Sequence, residues 1–149
     1  MAILKIARMG HSVLAKKSET VEDPTNPKIH SLISDMIETM RDAPGVGLAA
    51  PQVHVPKRII VFYVPASRMP EGHDGVELTA LINPEIEPLT DEIEFGVEGC
   101  LSLPGMVGKV PRYTKVRYSG FLPNGEQLIV EAEDYHARVV QHEFDHLNG

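Results

Sequence analysis

The segment Asp134–Leu147 reads DYHARVVQHEFDHL, and the rest of the chain has to be arranged around it. Its apolar residues recur at helical spacing, which predicts an amphipathic helix with Asp134 as the candidate N-cap. The helix contains the pattern HExxH. His142 and His146 are four residues apart, so they project from one face and can bind one cation, while Glu143 lies beside the open coordination position. The segment therefore predicts a catalytic metal site. The alternative is that HExxH occurs by chance on an ordinary charged amphipathic helix.

Two histidines do not complete such a site, because catalytic mononuclear metals usually take three protein ligands and leave one position for water. Cys100 is the single cysteine of the chain and lies in EGCLS at 98–102. A lone cysteine is more often a small buried hydrophobic residue, but together with HExxH the ligand role is favoured. The remaining histidines are weaker candidates: His11, His30, His54 and His73 lie near polar or turn sequence, and His136 points away from the HExxH face.

A third motif, GVGLAAPQ at 45–52, has no lysine and lacks the order of a phosphate loop, so a nucleotide site is disfavoured. Its glycines allow another backbone to come close, as when a peptide adds to a sheet edge. Gln52 could offer a side-chain amide to a developing oxyanion. A plain connection between a helix and a strand is the alternative that these residues leave open.

The pattern of the whole chain predicts an α+β fold, with antiparallel β-strands packed around the C-terminal HExxH helix and a second helix in the N-terminal half. The second helix begins with Asn26 as N-cap and Pro27, and it ends near Ala43. Extended runs are predicted at 57–64, 79–82, 86–89, 92–97, 113–119 and 126–133, and LPNG at 122–125 predicts a hairpin turn. The length fits one domain, so we expect residues 1–149 to form a single domain.

Composition narrows the classes of partner. The net charge of −7 would repel a phosphate backbone. No apolar run approaches the ~20 residues that a membrane helix needs, and the N-terminal residues do not form a signal peptide. We therefore expect a cytoplasmic protein with no direct nucleic-acid or membrane partner, although a processed organellar protein would have the same composition.

The three motifs GVGLAAPQ, EGCLS and QHEFDH stand in the order that resembles the signature motifs of peptide deformylases. The resemblance spans most of the chain, including the helix before the first motif and VPRY at 110–113. It implies a metal-dependent enzyme of the bacterial type that hydrolyses the N-formyl group from N-terminal formylmethionine of nascent, ribosome-associated polypeptides and releases formate.

Carried over residue by residue, the resemblance implies that Cys100, His142 and His146 bind the metal and that Glu143 is the general acid/base. It also implies that the Gln52 side-chain amide and the Leu101 backbone N–H stabilise the oxyanion. The implied substrate-binding residues are Val46, Gly47, Glu98, Gly99 and Val139, with Arg112 holding Glu98 through an ion pair. The implied native metal is Fe(II), with Zn, Ni or Co as substitutes, and a thiolate ligand does not distinguish among these ions.

The sequence departs from the family pattern at its end. Family members usually continue past HLNG, whereas this sequence ends three residues beyond His146. We therefore expect a domain without the usual short C-terminal segment. Because helix ends fray when nothing packs over them, we also expect His146 to be held largely by the metal.

Three other functions are compatible with parts of the pattern. An HExxH zinc peptidase would take His or Glu as its third ligand. A thiol hydrolase would use Cys100 as nucleophile with a histidine base and no metal. A structural metal module would need a fourth protein ligand and would make no use of Glu143.

Overall fold

The computed structural model describes residues 2–149, and within them it confirms the predicted α+β class. The helices are α1 (Pro27–Asp42) and α2 (Asp134–Leu147). The strands are β1 (Gly47–Ala49), β2 (Ile59–Val64), β3 (Val76–Pro88), β4 (Ile93–Cys100), β5 (Leu103–Tyr113), β6 (Lys115–Phe121) and β7 (Gln127–Glu133). Short 3-10 helices lie at Ser12–Ala15, Ala50–Val53 and Ala66–Arg68. No helix in this range is long and apolar enough to span a membrane.

The strands form two antiparallel sheets. The larger sheet has the order β1-β2-β3-β6-β7, and β4 pairs with β5 in a separate hairpin. The predicted hairpin turn between β6 and β7 is confirmed, since Gly125 N–H donates to Leu122 C=O at 2.9 Å and Gly125 has a φ of 88°. Strand β1 lies at an edge of the larger sheet, which leaves one side of its backbone without a neighbouring strand in the sheet.

The larger sheet lies between the two helices, as the side chains of β2 show. Successive residues of a strand face opposite sides of a sheet. Ile60 and Phe62 pack in one core with residues of α2, whereas Ile59 and Val61 pack in a second core with residues of α1. Both sides of β2 are therefore buried, and this is why its sequence is apolar without alternation.

Two of the predicted strands, 79–82 and 86–89, fall in the single strand β3, which ends one residue before the second prediction does. The strand is irregular between them: its pairing with β6 shifts register between Ile82 and Glu85, and Asn83 has a φ of 53°. The Asn83 side chain binds the N–H and the C=O of Val21, each at 2.8 Å. Asn83 and Pro84, which lie between the two predicted runs, thus mark a bulge, which is a common site for proline in a strand.

The last turn of α2 is packed, so the premise that nothing packs over this helix end is wrong. Leu147 is fully buried, and its C=O accepts hydrogen bonds from Ser18 N–H at 2.8 Å and Arg58 Nη1 at 3.1 Å. The N-terminal part of the chain supplies this packing, which local sequence could not reveal. At the other end of α2, Asp134 is the first helical residue, and the N-cap is Glu133 without a side-chain capping bond.

Candidate metal centre

The structure brings together the three side chains that the sequence nominated as metal ligands. On α2, His142 Nε2 and His146 Nε2 are 3.2 Å apart. Cys100 is the last residue of β4, and its Sγ lies 3.4 Å from His146 Nε2. The ligand atoms of all three residues lie within 4.8 Å of one another, and within residues 2–149 this is the one group of three or more such side chains that does so.

These separations fit a tetrahedral divalent cation. With metal–nitrogen distances of about 2.0–2.1 Å and a metal–sulfur distance of about 2.3 Å, tetrahedral angles place two nitrogens about 3.3 Å apart and a sulfur about 3.6 Å from a nitrogen. The observed separations of 3.2 and 3.4 Å are close to both values. Three protein ligands leave one corner of the tetrahedron for water or substrate, as catalytic sites require.

The charge of the sulfur ligand also suits a cation. Burial disfavours the thiolate, but hydrogen bonds with His142 and His146 outweigh it and lower the pKa of Cys100 to about 5. Burial likewise disfavours a charged His142, but its hydrogen bonds with Cys100 and Glu98 raise its pKa to about 10. Without a metal this ring therefore carries a proton, which a bound metal would have to displace, because only a neutral imidazole is a ligand. The sulfur is therefore already a thiolate at neutral pH, which is the form that binds metals.

Glu143 carries a carboxylate in an unusual environment. The residue is 5% exposed, and among residues 2–149 its Oε1 has no hydrogen-bond partner. Burial raises its pKa, since a charge is costly away from water. Gly47 of β1 lies against this carboxylate: a Cβ at position 47 would be 2.9 Å from Glu143 Cδ. A glycine at this position is what allows β1 to approach the acid so closely.

Gln52 lies on the other side of the thiolate. It is 1% exposed, and its Oε1 accepts a hydrogen bond from Ala49 N–H at 2.9 Å. Its Nε2 donates toward Cys100 Sγ at 3.5 Å. Leu101 follows Cys100, and its side chain covers Gly45, where a Cβ would lie 2.9 Å from Leu101 Cδ1. The first and second motifs of the sequence therefore meet beside the ligands.

A cavity of about 990 Å³ opens beside these groups. All five residues nominated for substrate binding line it, namely Val46, Gly47, Glu98, Gly99 and Val139. Cys100, His142, Glu143 and Gln52 line the same cavity. The nominated substrate site and the nominated chemical groups are therefore continuous.

Comparison with known proteins identifies the family. The family model for polypeptide deformylase matches residues 3–149. Peptide deformylase 1 of Xanthomonas campestris pv. campestris is 51% identical over 99% of this chain and 86% of its own, and peptide deformylase 1 of Bordetella pertussis is 50% identical over 97% and 82%. This chain belongs to the polypeptide deformylase family.

Solved structures agree in fold. A peptide deformylase from Ehrlichia chaffeensis in complex with actinonin superimposes with a TM-score of 0.92 at 38% identity, covering 99% of this chain and 85% of that one. A Met-Ala-Ser-bound class I type b peptide deformylase from Acinetobacter baumannii superimposes with a TM-score of 0.89 at 33% identity, covering 100% and 96%. The chain is thus a metal-dependent hydrolase that removes the formyl group from N-terminal formylmethionine of nascent polypeptides.

In this deformylase Glu98 connects the ligand helix to two arginines. Its Oε1 lies 2.8 Å from His142 Nδ1. The predicted ion pair with Arg112 is confirmed, with contacts of 3.0 and 3.1 Å, and Arg138 adds a contact of 2.7 Å. Burial opposes the charge, but these hydrogen bonds lower the pKa of Glu98 to about 2. A carboxylate in this position fixes the ring of a metal-binding histidine through its second nitrogen.

Two residues that contact the candidate site, Arg138 and Ser102, were not predicted from the sequence. Arg138 stands four residues before His142, and that spacing alone places it on the ligand face of α2. Ser102 was noted only as part of EGCLS, yet its Oγ accepts a hydrogen bond from Gln52 Nε2 at 3.2 Å. A contact between residues fifty positions apart has no local sequence signal.

The weaker histidine candidates lie away from the site, as predicted. His136 faces the core, where its Nε2 is 2.9 Å from the Tyr118 hydroxyl. The other four, His11, His30, His54 and His73, are exposed.

Proposed function

We propose that deformylation in this chain takes place at one divalent metal ion bound by Cys100, His142 and His146. The observation that carries the proposal is the convergence of these three ligand atoms beside a buried carboxylate, Glu143, that has an oxygen without a partner within residues 2–149. A peptidase of the HExxH class would instead need His or Glu as third ligand, and the cysteine occupies that place here.

Glu143 is the general acid/base. A divalent cation in this site would acidify a water molecule and polarise the formyl oxygen. Glu143 accepts a proton from the attacking water through its free carboxylate oxygen. It then gives the proton to the departing amine, so that formate and a free N-terminus are released. Burial raises the pKa of Glu143, which makes it a stronger base than an exposed carboxylate and suits a group that both takes and returns a proton.

Gln52 and Leu101 stabilise the negative charge that develops on the formyl oxygen. The Gln52 amide is fixed at its oxygen by Ala49 N–H and directs an N–H toward Cys100, and the Leu101 backbone N–H follows the same cysteine in sequence. Donors that are already oriented before reaction stabilise such a charge without having to reorganise.

The substrate binds along β1 with its methionine side chain in the adjoining cavity. Because β1 is an edge strand, Gly47 can pair with an extended peptide backbone. Val46 and Val139 offer apolar surface to the methionine side chain, and Gly99 lies at the same cavity. Glu98 contributes its side-chain methylene groups to the cavity, since its carboxylate binds Arg112, Arg138 and His142.

We further propose Fe(II) as the native ion, with Zn, Ni or Co able to replace it. A site of one thiolate and two imidazoles suits all of these ions. The enzyme would act in the cytoplasm of a bacterium on chains emerging from the ribosome, with residues 1–149 as one catalytic domain. The matched relatives are bacterial, and elements from both halves of the chain line one cavity.

Formate release from a formyl-Met peptide, assayed without oxygen and with bound metal quantified, tests the assignment. Glu143→Gln is expected to keep its metal and to lose at least about 100-fold in kcat, the usual scale for a general base. Cys100→Ala is expected to lose both metal and turnover. Glu126→Gln, at an exposed position on the β6–β7 turn, is the matched control and is expected to behave as wild type.

Two results would refute the assignment. Cys100→Ala with full metal and turnover would remove the cysteine from the ligand set. Wild-type protein that keeps working after complete chelation would instead indicate a thiol hydrolase.

A further inference from the structure

Ser102 is a buried residue whose hydroxyl, backbone N–H and backbone C=O each make a hydrogen bond. It is 1% exposed and lies two residues after Cys100. Its Oγ accepts a hydrogen bond from Gln52 Nε2 at 3.2 Å, and its backbone N–H donates to the Cys100 thiolate. Its C=O accepts from Met9 N–H at 2.8 Å. The backbone of Ser102 is therefore fixed by hydrogen bonds at both its N–H and its C=O.

The Gln52 amide is fixed at both ends. Ala49 N–H binds its oxygen at 2.9 Å, and Ser102 Oγ accepts from its nitrogen at 3.2 Å. A primary amide nitrogen has two hydrogens. With one directed at Ser102, the other is available toward Cys100 Sγ, 3.5 Å away, which is the side where the ligands converge. An amide turned by 180° would oppose its NH₂ group to Ala49 N–H, donor against donor, and would turn its oxygen toward the thiolate.

The N-terminal segment at 7–9 keeps the two residues in register. Ala7 N–H donates to Gln52 C=O at 2.6 Å, and Met9 N–H donates to Ser102 C=O at 2.8 Å. One short stretch of backbone therefore holds both the 3-10 helix that carries Gln52 and the turn that carries Ser102. The separation between the amide and the hydroxyl is set by backbone contacts on both sides.

We propose that Ser102 is a positioning residue for deformylation, whose hydroxyl orients the Gln52 amide so that its remaining N–H faces the reacting carbonyl. This inference rests on the proposed role of Gln52 as an oxyanion donor. The serine itself does not touch the substrate. It acts by limiting the amide to one orientation before the reaction begins, which is the condition under which such donors are effective.

A double-mutant cycle tests whether Ser102 acts through Gln52. Ser102→Ala is expected to lower kcat about tenfold, corresponding to one lost orienting hydrogen bond, with KM changed less than about twofold because ground-state binding is retained. In a Gln52→Ala background the same substitution is expected to change kcat less than about twofold. An equal loss in both backgrounds, or no loss in either, would overturn the proposal.

A spectroscopic readout does not depend on activity or on a bound metal. The side-chain amide signal of Gln52 in a ¹⁵N correlation spectrum of the metal-free protein is assigned by its disappearance in Gln52→Ala. Ser102→Ala is expected to shift this signal, and Ser102→Thr, which keeps the hydroxyl, is expected to shift it less and to retain more of the turnover. A Gln52 signal that does not move in Ser102→Ala contradicts the proposal.

Two further measurements separate this inference from the proposed function. The sulfur-to-metal absorption band of the cobalt-loaded protein is expected to be the same in Ser102→Ala and wild type, since Cys100 and the Ser102 backbone remain. If Gln52→Ala alone has wild-type kcat, the oxyanion role of Gln52 fails, whatever the cycle shows for Ser102. If Gln52→Ala is impaired but the two losses multiply, only the role of Ser102 fails.

Discussion

At the scale of single residues, the buried carboxylate of Glu143 depends on its neighbour Gly47. A buried carboxylate oxygen without a partner is costly, so such a group is usually satisfied or replaced. Here the backbone of Gly47 lies where any side chain would collide with the acid. The glycine of the first motif and the acid of the third thus form one unit, although each was noticed separately in the sequence.

His136 makes stability depend on pH. Burial lowers its pKa, so at acidic pH the unfolded chain binds a proton that the folded chain resists. Stability from this residue is therefore complete above the ordinary histidine pKa of about 6.5 and is lost as the pH falls below it, with a limiting slope of about 1.4 kcal/mol per pH unit. We expect the free energy of unfolding of wild type to exceed that of His136→Gln most at pH 7.5 and least at pH 5.5.

Denaturant unfolding of both proteins across this range is the measurement. The same substitution at the exposed His73 is the control. A difference between wild type and His136→Gln that stays constant with pH would show that the buried imidazole does not resist protonation.

At the scale of elements, the β4–β5 hairpin is attached to α2 mainly by polar contacts near the site. Gln141 exchanges two hydrogen bonds with the Tyr113 backbone, at 3.0 and 2.8 Å. Arg138 donates to Val110 C=O at 2.9 Å and to Glu94 C=O at 2.7 Å. Because β4 ends in Cys100, these contacts determine where the sulfur lies relative to the two imidazoles.

A substitution at Gly96 tests the contacts between the hairpin and α2. A Cβ at position 96 would be 2.7 Å from Arg138 Cζ, so Gly96→Ala is expected to displace the guanidinium from Glu98 and loosen the support of His142. Loss of such support typically weakens metal binding by about 10-fold or more. Gly108→Ala is the matched control, since Gly108 pairs with Glu98 in the same hairpin and a Cβ there would meet nothing within 4 Å. Zinc affinity is measured by competition with a chelator; equal affinities in the two variants would contradict the account.

Local sequence was sufficient to predict four features: the helical spacing of apolar residues predicted α1 and α2, a continuous apolar run predicted β2, and the LPNG turn predicted the β6–β7 hairpin. Strand β1 was not predicted as such, since it is only three residues long and is defined by its pairing with β2. Most of β5 was missed for a different reason: it contains Pro104 and Gly105, residue types that are uncommon in strands, and its apolar residues such as Val107 face solvent.

The same distinction holds within the site. His142 and His146 could be predicted because one helix fixes their spacing, and Arg138 could have been found by the same argument. The contacts of Ser102 with Gln52 and Met9 depend on segments that are distant in the chain. Helix and strand periodicities relate only residues that are close in sequence, so they cannot predict such contacts.

At the scale of the whole molecule, a bound metal would connect the hairpin to α2 and so contribute to stability. A ligand that binds only the folded state, such as this metal, stabilises the fold by about 4 kcal/mol when its free concentration is a thousand times its Kd. For a chain of this length that corresponds to a Tm change of about 10 °C. We expect chelation to lower the Tm of wild type by this order and that of Cys100→Ala much less.

Metal removal is nevertheless expected to leave the far-UV circular dichroism at 25 °C unchanged, because Leu147 is buried and its C=O is bound by Ser18 and Arg58. Loss of helical signal on chelation would show that the end of α2 depends on the metal after all.

The most direct test of the metal assignment is X-ray absorption at the zinc edge of the fully zinc-loaded protein. The arrangement of Cys100, His142 and His146 predicts one sulfur at about 2.3 Å and three nitrogen or oxygen atoms at about 2.0–2.1 Å, two of them imidazole nitrogens. A spectrum without a sulfur neighbour would contradict the central claim.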